Sequence, residues 1–300
     1  MTDSKKKKAG YVAIIGLPNV GKSTLLNRLV GEKLAGVSPK PQTTRDSIRG
    51  IFTDPALGQI VFVDTPGIHS PRDLLGRWMA REVEKSLEGI DLVYWMVLPD
   101  DRPCEEEILE KIKALGLPVF LLINQIDRYP KPFILPVIDR YHKAFAFREI
   151  IPISAKLGDQ VDLLLEKTFE ALPEGEPSFE QDQISDQNER FLVRELIREK
   201  LFHFTEEEIP YSTSVVIESF TDREDGIAEI NATVVVEKDS QKAIVIGKRG
   251  EMMKRIGTAA RLDIERLLGR KVFLKVWVRT MDRWKSDPSA MRGLGYGDPA

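Results

Sequence analysis

Eight residues constrain this chain more than any other stretch: Gly16-Leu17-Pro18-Asn19-Val20-Gly21-Lys22-Ser23. They follow the apolar run Tyr11-Val12-Ala13-Ile14-Ile15, which reads as a buried strand. They precede Thr24-Leu25-Leu26-Asn27-Arg28-Leu29-Val30, whose apolar residues recur at helical spacing. A strand, a turn with glycines at its first and sixth positions, then Lys-Ser opening a helix is the context of a phosphate-binding loop. The glycines let backbone N–H groups curl around a phosphate, and the helix N-terminus adds positive potential there. Lys22 is predicted to reach the β- and γ-phosphates, and the Ser23 hydroxyl to bind Mg²⁺.

At 300 residues the chain is long enough for two domains, and its 42% hydrophobic content can supply their cores. The single cysteine, Cys104, rules out an intramolecular disulfide and fits a reducing compartment. No apolar run is long enough to span a membrane. The start, Met1-Thr2-Asp3-Ser4 and then Lys5 to Lys8, lacks the apolar stretch of a signal peptide and reads as a solvated tail. The net charge of −3 hides an asymmetry. Residues 241–300 carry 14 Lys and Arg against 6 Asp and Glu, or +8, while residues 1–240 carry 30 against 41, or −11. A basic C-terminal block on an acidic chain points to a polyanionic partner for that block.

Downstream of the first motif, residues 36–45 hold two prolines and no periodicity, so they read as a loop. Thr44 is the residue expected to close over the γ-phosphate and give its hydroxyl to Mg²⁺. Ile48–Thr53 and Gln59–Val63 read as a hairpin about the turn at residues 54–58. The second strand runs into Asp64-Thr65-Pro66-Gly67. Asp64 is placed to hold Mg²⁺ through water, and the Gly67 N–H to bond a γ-phosphate, so the segment after it is expected to respond to nucleotide. Leu74–Leu87 reads as a helix, Asp91–Leu98 as a strand, Glu105–Leu115 as a helix and Pro118–Ile123 as a strand. That strand ends in Asn124-Gln125-Ile126-Asp127. The Asp127 carboxylate can accept from guanine N1–H and N2–H₂, a pairing adenine cannot offer. After a helix within 132–144 and a strand over Glu149–Ile153 comes Ser154-Ala155-Lys156, whose Ala155 N–H suits guanine O6. Helix Val161–Leu172 closes the region. Alternating strands and helices imply a mostly parallel, doubly wound sheet with its ligand at the strands' carboxyl ends.

The series G-x-x-x-x-G-K-S, T-T-R, D-T-P-G, N-Q-I-D, S-A-K resembles the TRAFAC-class GTPases, in the branch that holds the Era family and the tRNA-modifying GTPases. Position 125 departs from it: the family motif N-K-x-D has lysine where this chain has Gln125. A shorter, neutral side chain predicts weaker nucleotide affinity, with Asp127 preserving the choice of guanine. Ile68 stands where Ras-like enzymes carry a water-orienting glutamine, so intrinsic hydrolysis is expected to be slow or to draw on other groups. His69 beside it reads as a loop histidine. Asn19 occupies the position at which potassium-dependent relatives use an asparagine ligand, which makes K⁺ a candidate cofactor beside Mg²⁺.

Residues 174–188 are polar, acidic and aperiodic and read as a linker. Beyond it come a helix over Arg190–Phe204, a hairpin of Ser212–Phe220 and Ile227–Glu237, and a short helix at Ala243–Ile246. Then follow Gly247-Lys248-Arg249-Gly250, a helix over Met252–Leu268 and a strand over Lys271–Arg279. A G-x-x-G loop with basic middle residues between two helices is how a KH domain clamps single-stranded RNA, which assigns RNA contact to Gly247, Lys248, Arg249 and Gly250.

The order of the two parts is similar to the Era family over nearly the whole chain, including the tail from Trp284 to Tyr296. The resemblance implies an α/β fold: a doubly wound P-loop GTPase domain (1–173), a linker (174–188), and a smaller α+β type II KH domain with a C-terminal tail (189–300). It implies a nucleotide site of Gly16, Leu17, Pro18, Asn19, Val20, Gly21, Lys22, Ser23, Thr24, Asp64, Thr65, Pro66, Gly67, Asn124, Gln125, Ile126, Asp127, Ser154, Ala155 and Lys156. Lys22, Thr44 and Gly67 take catalytic roles in it, and Ser23, Thr44 and, through water, Asp64 hold the metal. It further implies a monomeric, cytoplasmic ribosome-assembly factor. Such a factor hydrolyses GTP to GDP, binds the 3′ end region of small-subunit ribosomal RNA on the 30S subunit, and associates peripherally with the inner face of the membrane. Two rival readings stay open at this level: an RNA-binding module in which nucleotide is a structural clamp with little turnover, and a membrane-linked regulator.

Overall fold

The computed structural model describes residues 6–68, 73–100 and 102–297. His69 lies outside them. The described residues fall into two compact units. The first takes residues from 6–32, 44–68 and 82–186; the second takes 33–43, 73–81 and 187–297.

The first unit is built on a six-stranded sheet. Its strands are β1 (Lys8–Ile15), β2 (Ile48–Asp54), β3 (Gly58–Asp64), β4 (Leu92–Val97), β5 (Val119–Ile123) and β6 (Glu149–Pro152), in the order β2-β3-β1-β4-β5-β6. Only the β2–β3 pair is antiparallel. The helices are α1 (Lys22–Val30), α2 (Leu74–Lys85), α3 (Glu106–Leu115), α4 (Ile134–Ala144) and α5 (Val161–Ala171), with the start of α2 counted in the second unit. Strands β3, β4 and β5 are buried at every residue, as a central sheet covered on both faces requires. One core cluster gathers Ile15, Ile68, Trp95, Leu121, Ile123 and Tyr141. Residues 174–186 carry no helix or strand, yet they are bonded to this unit. Gln59 accepts from the N–H groups of Ser178 and Phe179, and the Ile51 N–H donates to the Ile184 carbonyl at 2.9 Å.

In the second unit, α6 (Glu189–Phe204) and the short α7 (Ile209–Ser212) lead into β7 (Ser214–Asp222) and β8 (Ala228–Val236). Helices α8 (Asp239–Ile246) and α9 (Glu251–Leu268), the strand β9 (Val272–Thr280) and α10 (Pro288–Gly293) follow. The sheet runs β7-β8-β9, antiparallel then parallel. Apolar residues of α6, α8 and α9 pack on one face with Val215, Ile230, Ala232, Val234 and Val272. On the other face Trp284, Met291, Leu294 and Tyr296 cover Val235, together with Leu75, Trp78 and Met79. Residues 33–43 are pinned to α6 and α9: Lys33 pairs with Glu199 at 2.7 Å and Asp263 at 2.8 Å, and Lys40 donates to the Phe202 carbonyl at 2.8 Å.

Three elements differ from the sequence reading. Ser212, read as the start of a strand, closes the short helix α7, where its hydroxyl donates to the Ile209 carbonyl, and β7 starts at Ser214. α8 begins at Asp239 rather than Ala243, because the Gln241 side chain accepts from the N–H groups of Glu237 and Lys238 and so fixes the first turn. α10 was unforeseen; Asp287 caps it by accepting from Ser289 and Ala290, a one-turn signal too short to show as periodicity.

Candidate functional site

In the first unit the carboxyl ends of β1, β3, β5 and β6 bring four of the five predicted motifs to one end of the sheet. Lys22 is buried at the start of α1, and its Nζ donates to the carbonyls of Gly16 and Leu17, each at 3.0 Å. Burial pushes its ammonium down to about 8, against the pull of Asp64. Asp64, fully buried at the end of β3, is pushed up to about 6 by burial, although Lys22, Ser23 and Thr44 favour its charged form. An anionic phosphate beside Lys22 or a cation beside Asp64 would offset these desolvation effects.

Ser23 Oγ donates to Asp64 Oδ2 at 2.6 Å and lies 2.9 Å from Thr44 Oγ1, which is 3.5 Å from the same carboxylate oxygen. Three residues distant in sequence thus converge their oxygens. The other Asp64 oxygen, Oδ1, is buried without a hydrogen-bond partner. Hard oxygen donors with one unspent carboxylate oxygen suit Mg²⁺, which takes few protein ligands and completes its shell with water and phosphate.

Gly67 is required by close approach: a Cβ there would fall 2.8–2.9 Å from atoms of Pro18 in the first loop. The next residue ties the two loops together, its Ile68 N–H donating to the Gly16 carbonyl at 3.2 Å. The Ile68 side chain is 6% exposed and belongs to the core, so it offers nothing to a water molecule. Thr65 is buried and holds the Ile14 carbonyl at 2.8 Å.

At the base-reading end Asn124 is the hub. Its Nδ2 donates to the Val20 carbonyl at 2.7 Å, and its Oδ1 accepts from the Ala155 N–H at 3.0 Å. One side chain therefore sets the spacing of the phosphate loop, the N-Q-I-D turn and the S-A-K turn. Ser154 Oγ donates to Asp127 Oδ1 at 2.7 Å and accepts from the Leu157 N–H, which aims the exposed carboxylate. Gln125, at φ 65°, reaches the first loop: Nε2 lies 3.4 Å from the Asn19 carbonyl, while Oε1 accepts from Arg128 at 3.1 Å. Arg28 of α1 was not singled out from sequence; it donates to the backbone carbonyls of Ala155 and Lys156, and no local pattern flags so remote a contact.

In the second unit Gly247–Gly250 join α8 to α9, with Lys248 and Arg249 both exposed. Gly247 has φ 74°, and a Cβ on it would lie 2.6 Å from that of Met252, so no other residue fits. Arg249 itself takes φ 54°, a left-handed conformation that breaks the helical path between α8 and α9.

Residues 11–125 match the family described as 50S ribosome-binding GTPase, and residues 208–285 match the KH domain. The chain is 50% identical to GTPase Era of Trichlorobacter lovleyi, over 99% of this chain and all of that one. It is 43% identical to GTPase Era of Ruminiclostridium cellulolyticum, over 96% and 97%. Two solved structures superpose with a TM-score of 0.93 at 42% identity, covering 97% of this chain and 99% of theirs. One is a variant of Aquifex aeolicus Era bound to GDP and AlF₄⁻; the other is Era in complex with MgGDPNP and nucleotides 1506–1542 of 16S ribosomal RNA. With both domains matched and the likeness running the length of each chain, this protein belongs to the GTPase Era family.

Proposed function

We propose that this chain binds GTP with Mg²⁺, hydrolyses it to GDP and phosphate, and binds the 3′ end region of small-subunit ribosomal RNA through its KH domain during ribosome assembly. The observation that carries the reading is the convergence of Ser23, Thr44 and Asp64 on one point beside the Lys22 loop. Ser23 and Thr44 would hold Mg²⁺ directly and Asp64 through water. The metal would supply charge neutralisation between the phosphates. Lys22 would then leave its loop carbonyls for the β- and γ-phosphates, and the Gly67 N–H would donate to the γ-phosphate. Asp127, aimed by Ser154, would select guanine, with the Ala155 N–H on O6.

The domain division that goes with this reading is 1–173 for the GTPase, 174–188 for the linker and 189–300 for the KH domain and tail. Steady-state GTP hydrolysis with and without RNA matching 16S nucleotides 1506–1542 tests the enzyme reading. Turnover that stays near zero in both would favour the rival, a nucleotide-clamped RNA binder, for which the buried Ile68 speaks.

Three finer points belong to the proposal. Asn19, at φ 65° in the phosphate loop, would place a carbonyl oxygen for K⁺, whose charge would serve where Ile68 cannot. Equal hydrolysis in potassium and sodium chloride at one ionic strength removes that idea. A monomer is expected in sedimentation velocity. A cytoplasmic location with peripheral attachment at the inner membrane face is the third, tested by liposome co-sedimentation; among the described residues no helix is long and apolar enough to cross a membrane.

A further inference from the structure

Strand β9 alternates. Val272, Leu274, Val276 and Val278 enter the core under α6, α8 and α9, which turns Phe273, Lys275, Trp277 and Arg279 to the opposite face of the sheet. That face is covered only in part. Trp284, Met291, Leu294 and Tyr296 pack over Val235 and Val216, at the end of the face beside Arg279. The remainder stays open, with Phe273 41% and Trp277 52% exposed. Of the chain's four tryptophans the other three, Trp78, Trp95 and Trp284, are at most 7% exposed.

The open strip has a charge to match a polyanion. Arg223 and Lys275 lie 4.7 and 4.9 Å from the centroid of the Phe273 ring, and Arg279 continues the strand beyond Trp277. Against these three cations stands Glu229, which pairs with Arg223 and Lys275. An aromatic face set among cations is how proteins hold single-stranded nucleic acid, the bases stacking and the phosphates tracking the charge.

Position favours the same ligand. β9 is an edge strand, and it packs against both α8 and α9, the helices that flank Gly247–Gly250. A loop of that kind clamps about four nucleotides. Because β9 is the edge of the sheet, an RNA longer than that can round the edge from the helix side onto the open face.

We propose that the open face of β9 is a second single-stranded RNA contact, in which a base stacks on Trp277 while Lys275 and Arg279 meet the flanking phosphates. It rests on the RNA-binding reading above and extends it. The test uses the whole protein and two RNAs, 16S nucleotides 1506–1542 and a ten-nucleotide single strand from its 3′ end. Trp277→Ala, and separately Lys275→Glu with Arg279→Glu, should each weaken the longer RNA roughly tenfold. Tryptophan fluorescence should fall when wild-type protein binds the longer RNA and stay level in Trp277→Phe. Wild-type affinity in both β9 variants, with binding lost in the Lys248→Asp, Arg249→Asp protein, overturns the proposal and leaves the loop reading intact. Weakened β9 variants with a fully active loop variant support the β9 contact and remove the loop instead. Unchanged RNA binding with a dimer lost on Trp277→Ala makes the face a contact between copies of this chain and overturns the proposal.

Discussion

Ser23 Oγ sits 2.6 Å from Asp64 Oδ2, joining the start of α1 to the end of β3 across 41 residues of chain. Asp64 is too buried to turn toward water, so its carboxylate is held where the helix presents the hydroxyl. Ser23→Ala removes one of three converging oxygens. Mg²⁺-dependent hydrolysis is expected to fall on the order of 100-fold or more, with loss of Mg²⁺-dependent GTP binding. Steady-state rates and GTP binding across a Mg²⁺ series check this; wild-type turnover would remove the metal assignment.

Asp127→Asn replaces an acceptor by a donor. Ser154 can still bond the amide oxygen, so the position of the side chain should survive. Preference should pass from guanine to xanthine nucleotides, whose O2 accepts. Competition between GDP and XDP measures it, and an unchanged ratio would place guanine reading elsewhere.

Gln125 bridges to the phosphate loop through the Asn19 carbonyl. A hydrogen bond of this kind is worth about 1 kcal/mol. Gln125→Ala should therefore weaken GDP about fivefold. Gln125→Lys should bind GDP more tightly than wild type, because its charged donor makes a stronger bond to the same carbonyl. Equal affinity in all three proteins would show that the bridge is idle.

Lys248→Asp with Arg249→Asp reverses two exposed charges in the second unit. Folding stability should change by about 0.5 kcal/mol or less. RNA affinity should collapse, and the salt dependence of what remains should flatten. Nucleotide affinity without RNA should stay at the wild-type value, and any effect of RNA on GTP affinity should vanish, since linkage makes that effect reciprocal.

Asp263 is an acid-sensitive point of the second unit. Burial alone would raise its pKa, but hydrogen bonds from Lys200 and Lys33 outweigh it and hold the carboxyl below the ordinary range. A depressed carboxylate adds stability above its unfolded pKa of about 3.9, and that contribution is lost as pH falls through the folded value. Denaturant unfolding from pH 7 to 3 should show a smaller loss over the acid end for Asp263→Asn than for wild type.

The sequence alone determined what depends on short range. Strand periodicity, the glycines of the phosphate and G-x-x-G loops, and the chain order of the motifs are local, and from them both folds and the gathering of the motif residues at the strands' carboxyl ends were legible. Burial of whole strands made β3, β4 and β5 readable because apolar runs of that length have few other uses. What tertiary structure alone decided is distance between parts far apart in the chain. The length of Gln125 was visible, but its reach to Asn19 was not, because that depends on a left-handed backbone at residue 125. The hub role of Asn124 and the hold of Arg28 on residues 155 and 156 needed the strand order, which brings β1 and β6 within reach only through β4 and β5. The exposure of Trp277 needed the path of the C-terminal tail, since alternation says which residues share a face but not how much of that face another segment covers.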